Sequence, residues 1–167
     1  MKKIVPKQNE IEFSDNDLLV TKTDTKGKIT YANRSFMKIV QMDEDELVGQ
    51  PHNIIRHPDM PKIIFKYLWE YLQSGTEIHA YVKNLCKDGS YYWVFANVTP
   101  SYDKDGKIIG YHSARSKPRK EALDIIKPLY TQLLQAEKSG GVQASQKILS
   151  TLLEEKGMNY DEFILSF

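Results

Sequence analysis

The chain of 167 residues contains a single cysteine, Cys86. One cysteine excludes an intramolecular disulfide and any metal site built from several cysteines of one chain, and it fits a reducing compartment. Long apolar runs are lacking too, so the amino terminus has no signal-peptide centre and no stretch reaches the length of a membrane-spanning helix. We therefore expect a cytoplasmic protein that does not insert directly into a membrane.

An excess of one charge sign is missing as well. The 23 basic and 22 acidic side chains leave a net charge of +1, so the chain has no electrostatic footprint for nucleic acid or for an anionic membrane. Catalytic patterns are also absent from the sequence, which has no nucleophile with a base, no phosphate-binding loop and no metalloprotease motif. We expect a protein that is not an enzyme, whose 41% hydrophobic residues form one domain with modest appendages.

The most unusual stretch that is present covers residues 51–61, Pro-His-Asn-Ile-Ile-Arg-His-Pro-Asp-Met-Pro. Its three prolines exclude a regular helix or strand, because each removes a backbone donor and biases the preceding residue away from helical geometry. We expect an irregular turn that holds a cation (Arg56), an anion (Asp59) and two imidazoles beside an aromatic-rich helix. Such a turn suits the rim of a site for a polar ligand with charged and aromatic parts.

Turn chemistry divides the middle of the chain into strands and helices. Turns with Asp and Gly lie between runs of β-branched and aromatic residues, which is the hairpin pattern. The predicted strands are 18–23, 28–32, 77–85, 91–100 and 107–115. Helical spacing and capping residues predict helices at 34–40, capped by Asn33, at 43–47, capped by Asp43, and at 62–73. The order of elements predicts an α+β fold, a five-stranded antiparallel sheet with helices over one face.

The last fifty residues are predicted to be helical. Apolar residues repeat at helical spacing over 122–134, with a kink expected at Pro128, and residues 139–141 are expected to break the helix before a second one over 142–156. We divide the chain into an amino-terminal cap segment (1–16), a central domain (17–118) and a carboxy-terminal helical extension (119–167).

This layout is that of a PAS domain, and several short motifs extend the resemblance over Asp17 to Pro118. They are Tyr31-Ala32-Asn33-Arg34-Ser35-Phe36, Glu46-Leu47-Val48-Gly49, the 51–61 turn, Val82-Lys83-Asn84, Asp88-Gly89, Tyr92-Trp93 and Val98-Thr99-Pro100. In this order they resemble the PAS sensor of the bacterial aerotaxis receptors. That family binds FAD non-covalently and reports the redox state of the respiratory chain to the chemotaxis machinery, so the resemblance implies an FAD-binding redox sensor.

Strand alternation supplies candidate positions for the ring of the flavin. It turns Asn84 towards the cavity, where a side chain with a donor and an acceptor matches the paired carbonyl and N–H edge of isoalloxazine. The alternative for Asn84 is a strand-end cap of the neighbouring hairpin. Tyr92 and Ala96 face the same way, and the small side chain of Ala96 leaves room for a flat ring.

The fifth strand leaves two alternatives open for His112. If the alternation of the meander continues, His112 faces the ring together with Gly110, which permits close backbone approach. If the strand carries a bulge, His112 turns outward to solvent. We keep His112 among the candidate site residues.

The remaining candidates come from the resemblance and lie mostly in the family turn. Arg56 can pair with a pyrophosphate or form a buried salt bridge with Asp59, and Asp59 can accept from ribose or ribityl hydroxyls. His57 either fixes the turn or meets the ligand. Trp69 offers a stacking face or packs in the core, and Asn33 has helix capping as its alternative role.

Two other readings of the cavity remain. Haem is the rival cofactor, because haem-binding PAS sensors use one axial histidine and His52 and His57 lie near such positions. A cofactor-free interaction module is the other. A cysteinyl-flavin photocycle is not expected, since the chain has His52 where photoreceptors of this fold carry the cysteine and Cys86 lies in a hairpin on the wrong side of the sheet.

Two aromatic side chains are expected on the outer face of the sheet. Trp93 and Phe95 point away from the cavity and need a cover, either residues 4–13, the carboxy-terminal helices or a second subunit.

Membrane-bound aerotaxis receptors continue into a membrane anchor and a kinase-control module, and this sequence resembles the stand-alone CetB-type PAS proteins of bipartite energy-taxis systems. We therefore expect a separate, membrane-anchored chemotaxis transducer as partner, membrane association through it, and a homodimer through the cap segment or the sheet face.

Overall fold

One five-stranded antiparallel sheet forms the centre of the protein, whose computed structural model describes residues 2–167. Its strands are β1 (Leu19–Thr23), β2 (Ile29–Ala32), β3 (Ile78–Leu85), β4 (Tyr91–Tyr102) and β5 (Ile108–Ser116). They pair in the spatial order β2-β1-β5-β4-β3. Every predicted strand is present with ends within two residues of the predicted ones, and the predicted fold class is confirmed.

Five α-helices accompany the sheet in the described residues. They are α1 (Arg34–Val40), α2 (Glu44–Leu47), α3 (Lys62–Gln73), α4 (Lys120–Lys156) and α5 (Tyr160–Leu165). The predicted caps are confirmed: Asn33 Oδ1 accepts from the backbone N–H of Phe36 at 2.9 Å, and Asp43 forms a capping box with Glu46.

The 51–61 segment is an irregular connection, as its prolines predict. Its regular structure is one short 3-10 helix, His52–Ile55. The backbone N–H of His57 donates to the carbonyl of Lys83 at 3.3 Å, and the N–H of Lys83 donates to Met60 Sδ at 3.2 Å. These bonds fasten the segment to β3.

The carboxy-terminal extension bends at one residue. Helix α4 runs to Lys156, and Gly141 inside it has non-helical dihedrals, φ 71° and ψ −170°. The predicted break at residues 139–141 is therefore confirmed, while Pro128 is accommodated within the first half of α4. No helix in residues 2–167 is both long and apolar enough to cross a membrane.

The carboxy-terminal extension packs on the outer face of the sheet and is the segment that covers Trp93. This tryptophan is 7% exposed and packs against Tyr130 of α4 with ring centroids 6.0 Å apart. The Tyr130 hydroxyl donates to the carbonyl of Tyr81 at 2.6 Å. On α5, Asp161 accepts from the backbone N–H of His79 at the start of β3.

The amino-terminal segment covers the β3–β4 hairpin instead. Glu10 forms a parallel bridge with Tyr91, and the N–H of Ile11 donates to the carbonyl of Tyr91 at 2.8 Å. A Cβ atom at Gly89 would lie 2.2 Å from the carbonyl oxygen of Val5, so only glycine allows the segment to cross the turn this closely.

Candidate ligand-binding site

A cavity of about 370 Å³ lies between the inner face of the sheet, α3 and the 51–56 segment. This volume lies within the range of small-molecule sites. The residues that line it are Thr23, Lys26, Gly27, Pro51, His52, Asn53, Arg56, Phe65, Leu68, Trp69, Leu72, Val82, Asn84, Ala96, Val98, Tyr111, Ser113 and Arg115. Its exposed rim includes Lys26, Pro51 and Asn53, whereas the floor is buried.

Helix α3 supplies the apolar wall. Apolar residues recur along it at helical spacing, and its inward side chains include Phe65 and Trp69. Trp69 meets Tyr111 of β5 edge to face, with centroids 5.4 Å apart. At the rim, Gly27 has φ 82°, and a Cβ there would lie 3.3 Å from the Trp69 ring, so glycine permits both the turn and this packing.

Strand register builds the floor. On β3 and β4 the inward positions include Asn84 and Ala96, and Ala96 is directly opposite Arg115 of β5. Val98 is opposite Ser113 in the same way. The floor therefore combines small and apolar side chains with three polar ones, contributed by alternate residues of three adjacent strands.

Three buried polar atoms at this cavity lack a hydrogen-bond partner among residues 2–167. They are Asn84 Nδ2, Ser113 Oγ and Arg56 Nε. Asn84 is 4% exposed and Ser113 is 5% exposed. Leaving a buried donor without a partner costs about 1–3 kcal/mol, and native structures contain few such groups. Three of them around one cavity indicate a site built for a polar ligand.

A buried cation lies beside them. Arg115 donates from Nη1 to Thr21 Oγ1 at 3.0 Å and from Nη2 to His52 Nε2 at 2.8 Å. Burial lowers the pKa of Arg115 to about 10, so the guanidinium stays charged at neutral pH. Burial, followed by the charges of Arg115 and Arg56, holds the pKa of His52 well below its usual value, and a neutral His52 is what accepting from Arg115 requires.

Arg56 approaches the cavity from the family turn. Its guanidinium lies 3.5 Å from the centroid of the Phe65 ring, a cation–π contact, and burial lowers its pKa. Its expected alternative, a salt bridge with Asp59, is wrong. Asp59 pairs with Lys83 at 2.9 Å instead.

Four of the nine predicted site residues, Arg56, Trp69, Asn84 and Ala96, line the cavity together. The other five are placed elsewhere: Asn33, His57, Asp59, Tyr92 and His112.

His57 and Asp59 stabilise the turn. His57 Nδ1 accepts from the backbone N–H of Asp59 at 3.0 Å, and the imidazole packs edge-on against Tyr91 with centroids 6.0 Å apart. Asp59, paired with Lys83, borders a second cavity against α4. Both side chains thus lie on the side of the turn away from the inner cavity.

Asn33 has structural contacts, whereas Tyr92 shares a face of the sheet with Asn84 without lining the cavity, and its hydroxyl has no hydrogen-bond partner in residues 2–167. Asn33 Oδ1 accepts from Val20 as well as Phe36, and its Nδ2 donates to Leu18, which joins α1 to β1. Tyr92 is completely buried opposite Asn84 in the β3–β4 register.

The prediction that His112 faces the cavity is wrong. The alternative, in which a bulge in the strand turns His112 outward, is confirmed. The register between β4 and β5 shifts between Ser101 and Tyr102. Because of this shift, the side chains of Ile108 and His112 face opposite sides of the sheet. His112 is opposite Thr99 on the outer face. A Cβ at Gly110 would lie 2.3 Å from the carbonyl oxygen of Thr23, so this glycine allows close approach to β1, and it does not line the cavity.

This register shift also explains why the sequence did not predict the β5 residues that line the cavity. It brings Tyr111, Ser113 and Arg115 inward, and sequence periodicity carries no mark of the bulge. The available signal was Arg115 itself, a charged residue near the end of an otherwise uncharged strand. His52, one of the two imidazoles expected in the turn and a candidate haem ligand, also lines the cavity.

The cysteine considered for a cysteinyl-flavin and the two histidines considered as haem ligands each have a definite position in the structure. Cys86 is fully buried behind the hairpin, and burial raises the pKa of its thiol to about 12. His52 Nε2 is occupied by Arg115, and His57 lies outside the cavity. Of the two candidate haem ligands, therefore, one is hydrogen-bonded to a cation and the other is turned away.

Comparison with known proteins agrees with this architecture. The profile of the PAS fold family matches residues 29–115. The aerotaxis receptor of Escherichia coli (strain K12) is 37% identical over 150 residues, 90% of this chain and 28% of the receptor. The biofilm dispersion protein BdlA of Pseudomonas aeruginosa is 25% identical over 57% of this chain and 23% of its own length. The chain thus spans less than a third of these curated relatives.

Solved structures with the same fold include light-oxygen-voltage domains. One that was studied with a flavin analogue has a TM-score of 0.60 at 18% identity, covering 66% of this chain and 84% of that domain. The dark structure of the blue-light photoreceptor Aureochrome1 LOV has a TM-score of 0.56 at 22% identity, covering 72% of this chain and 84% of that one. At these identities the likeness concerns the fold alone.

Proposed function

Because the chain belongs to the PAS family, we propose that it is a sensor that binds FAD in the cavity under α3 and reports redox state for aerotaxis or energy taxis. The observation that carries the proposal is the set of three unpartnered polar atoms, among residues 2–167, around a cavity with an apolar wall. A ring system with several hydrogen-bonding edges would satisfy them. The 37% identity to the aerotaxis receptor supports the biological role.

The lining residues fit the parts of a flavin. Asn84 and Ser113 would bind polar edges of the ring, while Ala96 leaves the space for it and Trp69 forms the opposite wall. Arg56 and the exposed Lys26 are placed to bind phosphate nearer the rim. When bound, the flavin would supply reversible electron uptake.

A direct contact links the cavity helix to the extension. Glu137 of α4 accepts hydrogen bonds from the backbone N–H groups of Lys62 and Ile63, at 2.7 and 3.1 Å, and from the Ser145 hydroxyl at 2.7 Å. Its carboxylate therefore caps the first turn of α3. We infer that a change at the α3 wall of the cavity reaches α4 through this cap, which makes the extension the output of the sensor.

The partner in this proposal is a membrane-anchored chemotaxis transducer on a separate chain, which would bring the cytoplasmic sensor to the membrane. A homodimer through the cap segment or the sheet face would have to displace contacts that the chain makes with itself, at Tyr91 and at Trp93. Cross-linking in cells followed by mass spectrometry tests the partner. Enrichment of a chemotaxis transducer supports it, and cross-links confined to copies of this chain contradict it.

An absorption spectrum of the purified protein before and after dithionite tests the cofactor. Flavin bands that bleach on reduction are the expected result. A Soret band would instead identify haem, and a featureless spectrum after reconstitution with FAD would identify an interaction module. Either of the last two results overturns the proposal.

A further inference from the structure

We infer that the floor of the cavity is built to hold negative charge on the ring of the ligand, with Arg115 as the cation that stabilises it. This inference rests on the proposed flavin function and adds what the site does to the bound ring. It concerns a residue that acts on the charge state of the ligand, separately from the groups that bind phosphate.

The position of Arg115 supports this role. It is 7% exposed, lines the cavity and is directly opposite Ala96, the small residue that leaves room for a ring. The bonds to Thr21 and His52 fix two of its nitrogens. The guanidinium is thereby held in one place rather than free to turn to solvent.

The charge of Arg115 has no counter-ion in the part of the chain that the structure describes. Its side-chain hydrogen bonds go to a hydroxyl and to a neutral imidazole. The described lining contains three cationic residues, Lys26, Arg56 and Arg115, and no Asp or Glu. A buried charge without a counter-ion is costly, and its retention is explained if the ligand supplies the anion.

Two cationic positions must be distinguished. Lys26 is exposed at the rim and Arg56 is partly buried over Phe65, so these two can meet a phosphate group that extends towards solvent. Arg115 is on the buried floor, on β5, whereas Lys26 and Arg56 lie in turns. The ring, not the phosphate, is the part of a flavin that would lie against the floor beside Asn84 and Ala96.

The ring becomes such an anion when reduction adds one more electron than protons. A flavin ring that takes up two electrons and one proton gains one net negative charge, whereas two electrons and two protons leave it neutral. An arginine at the floor therefore favours reduction with a single proton and raises the potential of that couple. In the test the electrons come from dithionite.

The test is the midpoint potential of the bound flavin between pH 5.5 and 8, compared for the wild type, Arg115→Gln and Arg115→Lys. A tenfold change in an equilibrium corresponds to about 30 mV for two electrons, so the potential falls by about 30 mV per pH unit with one proton and by about 60 mV with two. We expect the shallow slope throughout this range for the wild type. Arg115→Gln should show the steep slope at acidic pH and bind reduced flavin at least about tenfold more weakly relative to oxidised flavin, a shift of about 30 mV or more.

Arg115→Lys is the matched control, because it retains the charge and should retain most of the shallow slope. A steep slope in the wild type, or identical potentials and slopes in wild type and Arg115→Gln, would overturn the inference. If Arg115→Gln fails to retain flavin, the slope of the midpoint potential against pH in the wild type and in Arg115→Lys still tests the inference. Absence of flavin from the wild type would be a different result, because it contradicts the proposed function itself.

Discussion

At the scale of single residues, the site is defined by polar groups that the fold buries without satisfying. Asn84 could be predicted from strand alternation, because β3 and β4 pair regularly from Ile78 to Leu85. Ser113 and Arg115 could not, because one shift of register near Ser101 reverses the faces of β5. The residues carried over from the family turn divided similarly: Arg56 reaches the cavity, while His57 and Asp59 hold the turn in shape.

Replacement of Asn84 by leucine should separate ligand binding from stability. It removes a buried donor without a partner in residues 2–167, so the flavin-free protein should unfold at the same or a higher denaturant concentration. Flavin affinity should fall about tenfold or more, since a hydrogen bond to the ring is lost. Equilibrium binding and urea unfolding measure the two effects. Asn97→Leu, on the outer face, is the control, and loss of affinity in both variants alike would count against a specific contact.

The buried histidines predict a dependence of stability on pH. Burial, then the charge of Arg115, holds the pKa of His52 far below that of the unfolded chain, and burial and Lys83 lower the pKa of His57 despite the opposing effect of Asp59. The unfolded state therefore binds more protons below pH of about 6.5, and the free energy of unfolding falls as pH decreases through this range.

Urea unfolding at pH 7.5 and 5.5 measures this dependence. The wild type should be less stable at pH 5.5. His52→Gln, which keeps an acceptor near Arg115, should lose part of the difference. His112→Gln on the outer face should keep it, and an equal pH effect in wild type and His52→Gln would show that His52 is not its source.

At the scale of elements, local sequence signals were sufficient for the sheet and the short helices. Asp-Gly turns delimit the strands, and side-chain caps at Asn33 and Asp43 start α1 and α2 where the sequence predicts. The start of α3 differs. The residue before it, Pro61, makes no side-chain cap, and the cap comes from Glu137, 75 residues after Lys62. A cap supplied by another element has no local signature, so this contact could not be predicted.

Glu137→Ala should weaken the junction between α3 and α4. It removes a carboxylate from two backbone donors, and loss of a helix cap costs about 0.5–2 kcal/mol. We expect a lower unfolding midpoint and faster hydrogen exchange at the amides of Lys62 and Ile63. Glu155→Ala, exposed near the end of α4, is the control. Unchanged exchange at these two amides would contradict the role of Glu137.

At the scale of the whole molecule, the cavity lies on one side of the sheet, and the extension packs on the other side and on the start of α3. Composition, charge and motif order were enough to predict the PAS fold and its helical extension, because these depend on patterns repeated over many residues. The packing of the extension on Trp93 was one of three alternatives, since an apolar face shows that a cover is needed but not which segment provides it. The sheet and the α3 cap are thus the two routes between ligand and surface.

The proposed sensor depends on one cavity, so a side chain that fills this cavity should abolish flavin binding. Ala96→Leu would fill the space above the floor without adding charge, and a cooperative thermal transition would show that the variant still folds.

The most direct test is therefore the amount of flavin bound per chain after saturation with FAD and removal of the excess, measured for the wild type and for folded Ala96→Leu. One flavin per wild-type chain and almost none in the variant is the expected result. Equal flavin content in both proteins would place any flavin outside this cavity and contradict the proposed function, as would a wild-type protein that retains none.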